Sequence, residues 1–148
     1  MEAVILVGLP GSGKSSFYKQ RLFQTHVRVS LDLLRTRHRE QQIIEVCLDT
    51  DQRFAVDNTN STRTERMGYI TAAKTKRYTI TGYYFQSKVA DCLERNSERT
   101  GSDRVPDVAI LATAKKLEIP SLNEGFDKLL YLRFEDGDFA VEEWRDEV

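Results

Sequence analysis

A three-layer α/β fold, with a mostly parallel five-stranded sheet between helices and a helical lid, is what this 148-residue sequence predicts. Three observations carry the prediction. Short runs rich in β-branched and aromatic residues alternate with helix-length polar stretches, which is the pattern of βαβ units. The first run, AVILV at 3–7, is apolar at every position, as a strand buried on both faces must be. It leads directly into GLPGSGKS at 8–15, the G-x-x-x-x-G-K-S spacing of a phosphate-binding loop between a strand and a helix, so the fold is that of a P-loop NTPase.

The elements follow in order. After the strand at 3–7, a helix is expected over 14–23, opening at the loop. Further strands are expected at 27–30, 53–56, 78–85 and 128–134, and helices at 32–46, 61–76, 88–100 and 105–116. Residues 1–134 read as one P-loop domain. Residues 135–148 read as an acidic tail with apolar Phe139, Val141 and Trp144 interspersed, a solvated helix or strap docked on the same domain by its aromatics.

Charge and composition narrow the chemistry. The net charge is −1, which argues against general nucleic-acid affinity, but 135–148 hold seven acids and one base, leaving 1–134 with 21 bases and 16 acids. A mildly basic body suits a polyanionic substrate, whether a phosphorylated metabolite or a nucleic acid. Cys47 and Cys92 lie far apart without a second Cys or His at ligand spacing, so they read as packing residues in a reducing cytoplasm. No apolar run reaches membrane-spanning length and no basic-then-apolar leader is visible, so no membrane partner is expected.

The loop defines the first group of candidate residues. Backbone amides around Gly8, Gly11, Ser12, Gly13, Ser15 and Ser16 would turn toward a triphosphate, helped by the positive end of the new helix. Lys14 would hold the outer phosphates, and the Ser15 hydroxyl would ligate Mg²⁺.

In open parallel sheets ligands bind beyond the carboxyl ends of the strands, so polar residues just after strands form the second group. Asp32, after VRVS, is placed either to accept a proton from a hydroxyl attacking the γ-phosphate or merely to favour a helix start, with Arg35 three residues on gripping an acidic acceptor or lying in solvent. Asp57, ending FAVD, is either a Mg²⁺ ligand or an Asx-type cap; for the cap itself Asn60 or Ser61 is the better choice. Arg95 and Arg99, four apart before the turn Thr100, Gly101, Ser102, fit a lid that brings guanidinium groups to the phosphates, or else an Asp91–Arg95 helix pair with Arg99 solvated.

Taken in order, the loop, VSLDLLR, FAVDNTN, the arginine run ending in VP, and IPSLNEGFDKLLYLRF resemble the 5′-hydroxyl polynucleotide kinase domain of the phage and animal end-healing enzymes, within the wider zeta-toxin and AAA-like group of small P-loop kinases. The resemblance spans 3–134. It implies ATP or GTP with Mg²⁺ as cofactors, a nucleic acid 5′-OH end as acceptor, Asp32 as general base, Arg35 beside the acceptor phosphate, and Arg99 with Arg95 on the β/γ-phosphates. Glu124, Gly125 and Phe126 look structural.

Two departures stand out. Ser30 and Leu31 precede Asp32 where family members often carry Asn-Arg, and the lid is longer by about a residue before Val105 and Pro106. No phosphatase aspartate signature or ligase lysine motif is visible, so those activities are expected on separate partners. A small-metabolite kinase and a nucleotide-binding switch without an acceptor are the competing readings. Neither the base of the nucleotide, the sugar of the acceptor nor the oligomeric state is legible.

Overall fold

The computed structural model describes residues 1–135 and 138–144. Its sheet is built from β1 (Glu2–Val7), β2 (Val27–Val29), β3 (Phe54–Asp57), β4 (Thr79–Phe85), β5 (Lys128–Glu135) and β6 (Asp138–Glu143), in the order β2-β3-β1-β4-β5-β6. The first five strands are parallel and β6 pairs antiparallel with β5. The α/β class and parallel core are as the sequence predicts. β1 lies inside the sheet between β3 and β4, and its apolar residues 3–7 are all buried.

Alternation along β1 assigns the two faces. Val4 and Leu6 point to α1 (Lys14–Phe17) and its continuation as a π-type turn, Tyr18–Leu22, and pack with Phe17, Tyr18, Leu22, Phe85 and Phe139. Ala3, Ile5 and Val7 point the other way, toward α3 (Arg37–Asp49) and α4 (Arg63–Thr75), through Ile44, Cys47, Ile70 and Ala73. A third cluster, Leu9, Cys92 and Ile110, ties α5 (Val89–Ser97) and α6 (Asp107–Lys116) to the loop after β1. Both cysteines are free and buried, and burial pushes both thiols up. Among the described residues no helix is long and apolar enough to cross a membrane.

Four sequence expectations are corrected. The helix expected over 32–46 is broken into α2 (Leu31–Leu34) and α3. Arg35 turns the chain at φ 73°, and the Thr36 hydroxyl then caps α3 by accepting from Arg39 N at 3.2 Å. Arg35 therefore ends α2 instead of sharing a helix face with Asp32. The cap of α4 is Thr62, accepting from Glu65 N, and not Asn60 or Ser61. Asn60 instead donates to the Leu6 and Val56 carbonyls across the sheet end. The helix expected to reach 100 stops at Ser97. Finally, 138–143 form a sixth strand where a helix or strap is the sequence expectation. Phe139 is buried and Trp144 stands edge-on to Tyr84 at 5.8 Å, so the docking by aromatics holds. Asp136, Gly137 and 145–148 of the expected tail lie outside the described residues.

The SLNEGF turn is structural. Arg66, fully buried, donates to both carboxylate oxygens of Glu124 at 2.8 and 3.0 Å and to the Asn60 carbonyl at 2.9 Å. Glu124 also closes a capping box with Ser121, so one ion pair fastens α4 to the loop that feeds β5.

Candidate active site

The loop between β1 and α1 wraps tightly because three of its residues carry no side chain, two of them at positive φ. Gly11 (φ 83°) would drive a Cβ to 2.6 Å from the Cys92 carbonyl, and Gly13 (φ 103°) to 3.1 Å from the Phe139 ring. Either contact would push the loop off its supports. Gly13 is also the N-cap of α1 and offers no side chain to bond the helix amides, so the first-turn N–H groups remain directed at the concave side, as an anion requires.

Lys14 is folded into this loop. Its ammonium donates to the Gly8 and Leu9 carbonyls at 2.8 and 2.9 Å. Burial lowers its pKa to about 8, against the opposing pull of Asp57, Cys92 and Asp32, while Arg99 adds to the lowering. Asp32 and Arg99 thus both act on the Lys14 charge although they come from different elements.

Ser15, Asp57 and Arg28 form the second feature. The strand register explains it: Arg28 pairs with Ala55, two residues before Asp57, so Arg28 and Asp57 are diagonal neighbours on one face of the sheet. That is the face covered by α1, which carries Ser15. Ser15 Oγ donates to Asp57 Oδ2 at 3.0 Å, Arg28 Nε donates to the same oxygen at 2.9 Å, and Arg28 Nη2 reaches Ser15 Oγ at 3.3 Å. Asp57 is buried and caps no helix. A carboxylate and a hydroxyl already holding a cation between them are hard oxygen donors of the type Mg²⁺ takes.

Asp32 lies in the first turn of α2. The cap of that helix is Ser30, whose hydroxyl accepts from Asp32 N at 3.3 Å. The Asp32 carboxylate is exposed, with no hydrogen bond or ion pair among the described residues. Leu31 N donates to Asn58 Oδ1 at 2.9 Å, and Asn58 Nδ2 donates to Glu40 Oε2 at 2.9 Å. Glu40 is in turn held by Tyr69 (2.7 Å) and Arg37 (3.1 Å). Burial and the Glu40 hydrogen bond push the Tyr69 hydroxyl up. The start of α2, and with it Asp32, is therefore anchored to the end of β3 and to α3.

The two lid arginines differ. Arg95 turns to the loop and not to Asp91: its Nε donates to the Gly11 carbonyl at 2.6 Å, and its guanidinium lies over the Phe134 ring at 5.9 Å. Arg99 makes one long contact, to the Asp103 carbonyl at 3.4 Å. The buried Asn96 between them bonds both backbone groups of Val105, at 2.6 and 3.0 Å.

A family described as an AAA domain matches residues 4–120, from β1 through the lid. The chain belongs to the AAA domain family. This AAA domain is 28% identical over 129 residues to the bifunctional polynucleotide phosphatase/kinase of Schizosaccharomyces pombe, covering 84% of this chain and 32% of that protein. The chain spans about a third of the length of that curated relative. Its fold matches Chaetomium thermophilum Kti12 in complex with ADP-AlF3 (TM-score 0.66, 16% identity, 90% of each chain) and a Sinorhizobium meliloti gluconokinase (TM-score 0.64, 15% identity, 89% of this chain and 82% of that one). The AAA domain is a P-loop nucleotide-binding domain of the kinase type.

The fold gathers Lys14, Ser15 and Asp57, and brings Asp32 and Arg99 within electrostatic reach of Lys14. Arg95 it gives to the loop backbone. Arg35 is exposed at the end of α2, its side chain with no hydrogen bond or ion pair among the described residues. Four participants are not singled out by sequence: Arg28, Asn58 as an anchor, Glu40 and Tyr69. Only Arg28 carried a signal, a charge inside a short strand next to a strand ending in an acid.

Proposed function

We propose that this AAA domain is a Mg²⁺-dependent kinase that transfers the γ-phosphoryl group of ATP or GTP to the 5′-hydroxyl end of a polynucleotide. The observation that carries the reading is the Asp32 carboxylate: exposed, unpaired among the described residues, relieved of capping by Ser30, and held at the end of β2 by Asn58. The name of the fission yeast relative supports a polynucleotide acceptor. So does the run Arg35, Arg37, His38 and Arg39, exposed and adjoining Asp32 in the chain, which suits an acceptor too large for a closed pocket.

In the reaction, the amides of Gly11, Ser12, Gly13, Lys14, Ser15 and Ser16, with Gly8 at the loop entry, bind the phosphates. Lys14 leaves the Gly8 and Leu9 carbonyls for the β/γ-phosphate oxygens. Ser15 and Asp57 would hold Mg²⁺, which would supply positive charge at the phosphates. Asp32 accepts the proton of the 5′-hydroxyl as its oxygen bonds to the γ-phosphorus and the bond to the β-bridging oxygen breaks, releasing nucleoside diphosphate. Arg35 contacts the acceptor phosphate. Arg99 reaches the charge developing on the γ-phosphoryl, and Arg95 keeps the loop in shape.

The test is transfer of labelled γ-phosphate from ATP to an oligonucleotide with a 5′-hydroxyl, beside the same oligonucleotide already 5′-phosphorylated. Label on the hydroxyl end alone is expected, and Asp32→Ala lowers turnover by about 10² to 10⁴ with nucleotide binding intact. Label on neither, with nucleotide bound, removes the polynucleotide acceptor. Normal turnover in Asp32→Ala removes Asp32 as base.

A further inference from the structure

The Arg28 guanidinium lies on the two groups proposed above to hold Mg²⁺, and it reaches both from a neighbouring strand. Asp57 Oδ2 accepts from Ser15 and from Arg28 at once, within a carboxylate side chain that is 2% exposed. Removing the guanidinium would take the ion-paired cation from this buried carboxylate and leave it only the longer-range pull of Lys14, a costly state. An arginine stays charged at every accessible pH, so the partner cannot be neutralised; it can only be displaced. Mg²⁺ needs a carboxylate oxygen at about 2.1 Å together with its own waters. Oδ2 already accepts from Ser15 and Arg28, and Arg28 Nη2 lies on the Ser15 hydroxyl as well, so a metal ion can join that oxygen to Ser15 only by displacing the guanidinium. The Arg28 side chain is 27% exposed, which leaves it room to withdraw toward solvent.

We infer that Arg28 is a resident cation that guards the metal-ligand pair: in the nucleotide-free protein it excludes free divalent metal from Asp57 and Ser15, and it yields only when metal arrives together with nucleotide phosphates. The inference rests on the metal role proposed for those two residues. It makes Arg28 a positioning residue that sets the order of binding.

The test measures binding of Mn²⁺, as a spectroscopic stand-in for Mg²⁺, to the intact chain without nucleotide, by loss of the free-ion electron paramagnetic resonance signal. Wild type is expected to bind weakly, and Arg28→Gln at least about tenfold more tightly. A parallel reading uses thermal unfolding: Mg²⁺ alone raises the Tm of Arg28→Gln and of Arg28→Ala, and leaves wild type unmoved. Equal Mn²⁺ affinity in wild type and both variants, while Mn²⁺ with ADP still requires Asp57, overturns the guard and spares the metal site. Unchanged Mn²⁺–ADP binding in Asp57→Asn overturns the metal assignment, and the guard falls with it.

Discussion

Burial lowers the Lys14 pKa to about 8 while its ammonium is spent on the Gly8 and Leu9 carbonyls. A bound polyphosphate favours the charged form, so above that value binding must take up a proton. Nucleotide affinity is therefore expected to fall as pH rises through about 8, by up to about tenfold per pH unit. Titration calorimetry in buffers of differing ionisation enthalpy would report the proton uptake; flat affinity over pH about 7 to 10 would contradict it. For folding the sign is opposite. The unfolded lysine keeps its proton up to about 10.5, so Lys14 costs stability below about 8 and that cost is relieved as pH rises through the window. The motif made Lys14 legible. Its depressed pKa was not, because the burial that causes it exists only in the folded protein. The Ser30 cap was hidden too, since Asp32 is an equally good helix-start residue on spacing alone.

At the level of elements, the lid depends on Asn96. Its side chain satisfies both backbone groups of Val105, which pins the turn carrying Arg99 and the 3₁₀ turn Gly101–Asp103. Asn96→Ala leaves that donor and acceptor unmet, at about 1–3 kcal/mol each if they stay buried. The cheaper outcome is local opening. Faster amide exchange across 98–105 and lowered turnover are expected, with nucleotide still bound by the loop. Unchanged exchange there would show that the lid is held by other means. Sequence spacing displays the arginine pair in RNSER, whereas the asparagine between them reads as an ordinary helix-terminal residue. The break between α2 and α3 was similarly invisible: no Gly or Pro interrupts 32–46, and only the positive φ at Arg35 and the cap at Thr36 reveal the stop.

Across the whole molecule, the parallel sheet and the burial of β1 on both faces follow from hydrophobic runs and from alternation of strand with helix, whereas the strand order is seen only in the pairing. The sixth strand does not. Residues 138–143 read DFAVEE, an apolar triplet flanked by acids, and the density of acids hides the strand until pairing with β5 is seen. Their charge suits an edge, because Asp138, Glu142 and Glu143 discourage pairing of the open side with another chain. Most of the nucleotide site was legible from one octapeptide. The polar scaffold behind Asp32 was not, since Asn58, Glu40 and Tyr69 meet only through the register of β3 against α3 and α4.

Phe139 stands beneath Gly13 and packs edge-on against Phe17 at 5.5 Å and Phe85 at 6.2 Å. The floor of the phosphate loop is thus supplied by a strand more than a hundred residues downstream. Support of this kind acts in both directions, because whatever a ligand gains from a firm floor it returns by making the floor firmer. Filling the loop with nucleotide should slow amide exchange along 138–143, at the far edge of the sheet and without touching it. Exchange there that ignores the ligand would mean that loop and strand fold as neighbours but answer to the ligand separately.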